Sequence, residues 1–127
     1  MVAPIIPGLT DSEVPALLKA AADAGAREAG YTVVRTNGAV QEVFRLWLET
    51  HFPDRALKVV SQVRSVHGGT MNDSDFGRRM RGEGTFAENI HQVFSLFRDR
   101  YFGERRTPDM DRTLFQRPPT GQLDLFG

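Results

Sequence analysis

The sequence predicts a helix-rich α/β fold, and three observations carry that reading. Tyr31–Arg35 (YTVVR) is β-branched and aromatic and is closed by Asn37-Gly38, the chemistry of a strand followed by a turn. Around it, apolar residues recur at helical spacing in several separate segments. Proline and glycine punctuate the joints between those segments.

Taken in order, VAPIIPG at the start is a short apolar run bounded by Pro4 and Pro7 and reads as a strand end, not as the opening of a self-contained domain. Asp11 or Ser12 is suited to cap a helix with Pro15 in its first turn and Val14, Leu17, Leu18 and Ala21 on one face, stopped near Gly25. After the strand, Val43, Phe44, Trp47 and Leu48 keep a helical period to about His51, where Pro53 breaks the helix and starts another. That next helix turns Ala56, Val59, Val60, Val63 and Val66 inward and ends at Gly68-Gly69. From Thr70 to Gly84 no period survives, and its Gly, Asn and Asp residues predict a long loop, of the kind that is functional or disordered. Thr85 with Glu88 has the spacing of a capping box, opening a helix whose stripe is Phe86, Ile90, Val93, Phe94, Phe97 and Tyr101 and which ends at Gly103. Glu104 to Thr120, rich in Pro and Arg, reads as a mobile tail.

Composition narrows the chemistry. At 127 residues the chain suits one domain. It has no run of about 18 apolar residues and no export leader, so the expectation is a soluble cytoplasmic protein with no membrane partner. It has no cysteine, which excludes disulfides, thiolate zinc sites and iron–sulfur clusters held by this chain alone. Sixteen cationic residues balance sixteen acidic ones, so no net field steers it to nucleic acid. Only Lys19 and Lys58 are lysines, and the remaining cations are arginines, the side chain that meets carboxylate or phosphate in bidentate fashion.

Few motifs carry chemistry. His51, His67 and His91 lack partners at metal-ligand spacing and read as surface or half-buried helix residues. No nucleophile elbow, P-loop or dinucleotide fingerprint is present. Arg78, Arg79 and Arg81 fall within four residues of the loop and concentrate positive charge there. Asp73, Asp75 and Glu83 can neutralise them internally; otherwise the arginines are available to phosphate or nucleic acid.

Three stretches carry a family resemblance. VAPIIPGLTDSEVPALLKAAADAGA looks like a late strand–loop–helix of the radical SAM barrel, and LWLETHFPDRALKVVSQVRSVHGG and DSDFGRRMRGEG are similar to the C-terminal part of radical SAM proteins grouped with the spore photolyase-like set. The resemblance implies the last β/α units of a partial TIM-type barrel over 1–38, a helical extension over 39–103 with a loop at 68–84, and a flexible tail over 104–127. It also implies that Ile5, Ile6, Pro7 and Gly8 lie near S-adenosylmethionine, consistent with barrel chemistry at the C-terminal ends of strands. The family's three-cysteine motif, which holds a [4Fe-4S] cluster, is missing, so such a chain is inactive alone. The resemblance leaves an excised part, a split or truncated gene, or a relic with a new role. A truncated barrel exposes apolar faces, so association with the missing N-terminal barrel half, or self-association, is expected.

The ending resembles something else. Gln122, Leu123, Asp124, Leu125 and Phe126 (QLDLF) are similar to the pentapeptide by which bacterial replication and repair proteins bind the sliding clamp. Burying Leu123, Leu125 and Phe126 contributes about 1.5–3 kcal/mol each. The alternatives are docking on its own domain or no role, and the competing view of the whole chain is a non-catalytic adaptor that binds the clamp, nucleic acid, or both.

Overall fold

Val2–Ile5 forms strand β1 and Tyr31–Val33 forms strand β2 in the computed structural model, which describes residues 1–103, 105 and 108–117. The strands pair in parallel, Val2 opposite Tyr31 and Ile5 opposite Val33, with an irregularity between. Parallel strands require a crossover, and it is supplied by helix α1, Val14–Asp23, entered through a 3-10 turn at Asp11–Glu13. Helices α2 (Val40–His51), α3 (Pro53–Ser65) and α4 (Gly84–Phe102) follow, so the described residues form a helix-rich α/β unit as the sequence predicts.

The start of α1 differs from expectation. Asp11 and Ser12 lie in the 3-10 turn, Glu13 occupies the N-cap position, and no side chain caps the helix. Pro15 is tolerated because the first-turn amide it lacks has no intrahelical acceptor. The buried stripe is Val14, Leu18 and Ala22, whereas Leu17 is 45% exposed. Both stripes fit a helical period. Ile90, Phe94 and Phe102 of α4 decide between them, since they share a core with Val14, Leu18 and Ala22. Gly25, at φ 91°, closes the helix where an L side chain would be strained.

Strand β2 is shorter than the predicted five residues, but its course continues: the Val34 amide donates to the Ile5 carbonyl at 2.9 Å. The joint between α2 and α3 falls where Pro53 was expected to force it, with the Arg55 and Ala56 amides both bonded to the Phe52 carbonyl. Ala56, Val59, Val63 and Val66 are buried as expected, and Leu48, Val34 and Met71 join the first three in one cluster. On α2 the expectation fails in part. Leu48 is its one buried residue, Phe44 is partly covered, and Val43 is 66% exposed. Trp47 stays partly exposed and packs edge-on to Phe52 at 5.2 Å between ring centroids, because no further layer covers that face of α2 among the described residues.

Nor does the capping box form. Helix α4 begins at Gly84 with Glu83 as N-cap, which places Thr85 inside the first turn, too late to cap it. Ile90 and Phe94 are buried, while Phe86 and Val93 of the predicted stripe are exposed. The loop before α4 is fastened to the sheet: the Val33 amide donates to the Met80 carbonyl at 2.9 Å, and the Thr36 amide and hydroxyl both donate to the Met71 carbonyl. The loop thus covers the outer side of β2. Strand β1 has β2 as its sole strand neighbour among the described residues.

Candidate functional site

At the C-terminal end of β1, Ile5 and Pro7 are almost fully enclosed, while Ile6 and Gly8 reach the surface in part. The chain folds back here through bonds from the Leu9 and Thr10 amides to the Ile6 carbonyl, both 3.0 Å, and from the Ile6 amide to the Thr10 hydroxyl, 2.9 Å. Gly8 adopts φ 76°, and the side chain of Gln62 from α3 fills the place of the missing Cβ: an ideal Cβ there would stand 2.0 Å from Gln62 Oε1. That oxygen is buried without a hydrogen-bond donor. Pro7 borders an apolar groove of about 320 Å³ formed with Val14, Pro15, Phe86, Ile90 and Val93. Sequence reasoning placed Ile5 to Gly8 at a strand end but missed Gln62, whose contact with Gly8 crosses more than fifty residues of chain and leaves no local signal.

The three loop arginines part company. Arg78 is bound by the same carboxylates the sequence nominated: Nε to Asp73 at 2.5 Å, Nη2 to Asp75 at 2.7 Å and Nη1 to Glu83 at 3.3 Å. Asp73, only 5% exposed in its side chain, also accepts the Asp75 amide at 2.8 Å. The Arg78 bond first, and then that amide, hold the Asp73 carboxyl below its ordinary range, against a smaller opposing effect of desolvation. Arg79 lies over the Phe76 ring, its guanidinium carbon 5.4 Å from the centroid. Arg81 borders a cleft of about 340 Å³ with Tyr31, Glu83, Glu88, His91 and Gln92. In that cleft the Tyr31 oxygen and His91 Nδ1 are 3.2 Å apart, and burial raises the Tyr31 hydroxyl pKa against the lowering influence of Arg81. The pair spans 60 residues and was not legible in the sequence.

His67 corrects the expectation of a surface or half-buried residue: it is 3% exposed. Its Nε2 lies 2.7 Å from the Val34 carbonyl, which can only accept, so that nitrogen carries the proton, and Nδ1 is left buried and unpartnered. The chain turns here through Gly68 and Gly69, both at positive φ, with the His67 and Gly69 amides donating to the Arg64 carbonyl. Among the described residues no group of three His, Asp or Glu is arranged to hold a metal ion, and no helix is long and apolar enough to cross a membrane. The expected docking peptide Gln122, Leu123, Asp124, Leu125 and Phe126 lies outside the described residues.

No family model matches the chain, and neither do any curated protein or solved structure.

Proposed function

We propose that the chain is the C-terminal portion of a radical SAM enzyme of the spore photolyase-like group, a partial-barrel end with a helical extension that works only with a cluster-bearing barrel half. The observation that carries this reading is the asymmetry of the sheet. A parallel β1–α1–β2 unit is the repeating element of such barrels, the outer side of β2 is covered by the chain's own loop, and β1 has no strand on its other side among the described residues. A sheet covered on one side and open on the other is compatible with this reading, in which a further strand would pair with β1.

The two cofactors of the parent family fit these residues differently. With no cysteine in the chain, a [4Fe-4S] cluster has no thiolate ligand here. S-adenosylmethionine fits in part. Ile6 and Gly8 offer backbone at the strand end and Pro7 borders an apolar groove, while Gln62 Oε1, an acceptor lacking a donor, is buried against Gly8 and does not line that groove. When bound, the molecule supplies the radical chemistry in concert with the cluster; the residues here orient one side of it and exclude water.

Co-expression with a polypeptide carrying the three-cysteine barrel half tests the proposal. A one-to-one complex by light scattering after size exclusion is expected, and separate elution of the two chains refutes it.

The QLDLF sequence favours a second reading, a clamp-tethered adaptor without chemistry. Titrating purified sliding clamp with the intact chain and with a Leu125→Ala, Phe126→Ala variant decides it: binding by the first alone supports the adaptor, and equal behaviour of both removes it.

A further inference from the structure

Phe76 is the most exposed aromatic ring among the described residues. A large apolar ring that is 91% exposed stands on the loop and belongs to no core cluster, although Met71 of the same loop does. The loop beneath it is braced. Arg78 gathers Asp73, Asp75 and Glu83, and backbone bonds from Arg79 to Asp75, Arg81 to Arg78 and Gly82 to Arg78 close successive turns. The ring is therefore displayed by an ordered scaffold.

The charges have been sorted as well. All three acidic groups of the loop converge on Arg78, whereas neither Arg79 nor Arg81 forms an ion pair among the described residues. The Arg79 guanidinium lies over the Phe76 ring, its carbon 5.4 Å from the centroid, and the ring itself stays 91% exposed. An exposed aromatic ring with a guanidinium beside it that forms no ion pair among the described residues suits a ligand that is flat, apolar on its faces and anionic along its backbone.

We propose that Phe76 and Arg79 form a contact for single-stranded nucleic acid, Phe76 stacking on an unpaired base and Arg79 meeting backbone phosphate. Duplex DNA does not serve, because its bases are already stacked and only its phosphates would be engaged. The braced loop holds the ring and the cation in place before the strand arrives, which lowers the ordering cost of binding. This inference stands on the loop alone and is independent of the barrel reading.

The test is fluorescence anisotropy with a labelled oligothymidylate of about 15 nucleotides in about 50 mM salt, beside the matching duplex. The single strand should bind more tightly than the duplex. Phe76→Leu should weaken it by about fivefold or more, and Phe76→Tyr should stay within about twofold of the parent. Arg79→Gln should reduce the slope of log affinity against log salt by about 0.7. Phe76 is solvent-exposed, so an unchanged melting temperature verifies that the Leu variant is folded. Absence of binding, equal affinity of the Leu variant and the parent, or preference for duplex overturns the proposal. So does Phe76-dependent binding to phosphatidylserine vesicles with none to the oligonucleotide, which would make the loop a membrane contact.

Discussion

Replacing Gly8 with alanine interrogates the strand end where the candidate cofactor contact lies. Two costs are readable from the structure. Gly8 holds φ 76°, where an L residue costs about 1–2 kcal/mol. The new Cβ would also lie 2.0 Å from Gln62 Oε1, so the carboxamide must leave its place, and driving it off its rotamer costs about 0.5–1.5 kcal/mol. Gly8→Ala should therefore destabilise the chain by about 1.5–3.5 kcal/mol, which at this chain length lowers the melting temperature by roughly 5–15 °C. In a Gln62→Ala background the collision is gone and the backbone cost alone remains, so the double-mutant cycle should show a coupling of about 0.5–1.5 kcal/mol. Urea unfolding of the four proteins measures it. Additivity within error would mean that Gln62 does not occupy the space over Gly8, and the orphaned acceptor assigned to that end of β1 would fall with it.

Other expectations are independent of that one. Leu48, fully enclosed between α2 and α3, should cost about 2–5 kcal/mol on replacement by alanine, while Val43→Ala on the open face of the same helix should stay within about 0.5 kcal/mol; similar losses from both would contradict the orientation of α2. Arg78→Gln should release the loop, seen as faster amide exchange over residues 73–83 with α3 unchanged, whereas an unaltered loop would show that the three-carboxylate brace is dispensable. Because the Asp73 carboxyl is held below the ordinary aspartate value of about 3.9, the folded chain binds fewer protons there than the unfolded one. Its contribution is whole above that value and is lost as pH falls through the depressed one. Asp73→Asn should accordingly flatten stability against pH in that acid window, and an unchanged profile would refute the pairing.

The sequence was most legible where one physical signal acted alone. Pro53 removes an amide and fixes φ, so the α2–α3 joint follows from chemistry within a few residues, and the apolar period of α3 names its buried face because Val34, Met71 and Leu48 of α2 share its core cluster. It was less legible where two readings shared a period. On α1, Leu17 and Leu18 both continue a helical stripe, and only the position of α4 chooses Leu18. On α2, hydrophobicity promised burial for Val43 and Trp47 that no neighbour among the described residues provides. Thr85 and Glu88 matched a capping pattern, but Gly84 already extends the helix backwards and shifts the frame. Within the candidate sites, the acid–arginine balance of the loop was visible as composition, yet its partition into one arginine holding three carboxylates and two with no ion pair among the described residues is a matter of three-dimensional reach. Phe76 left no decisive signal: the same aperiodic stretch sends Met71 into the core and leaves Phe76 outside it.

Strand β1 holds the most direct test of the account, which treats its unaccompanied side as the place where a cluster-bearing barrel half adds its last strand. Amide hydrogen exchange of the chain should be followed alone and with that half present. The account predicts slower exchange at the Ala3 amide on complex formation, since Val2 already donates to the Gly30 carbonyl and Pro4 has no amide hydrogen, with Tyr31–Val33, already covered by β1 and the loop, little changed. Equal exchange of β1 in both samples, in the presence of a verified excess of the partner, would contradict it.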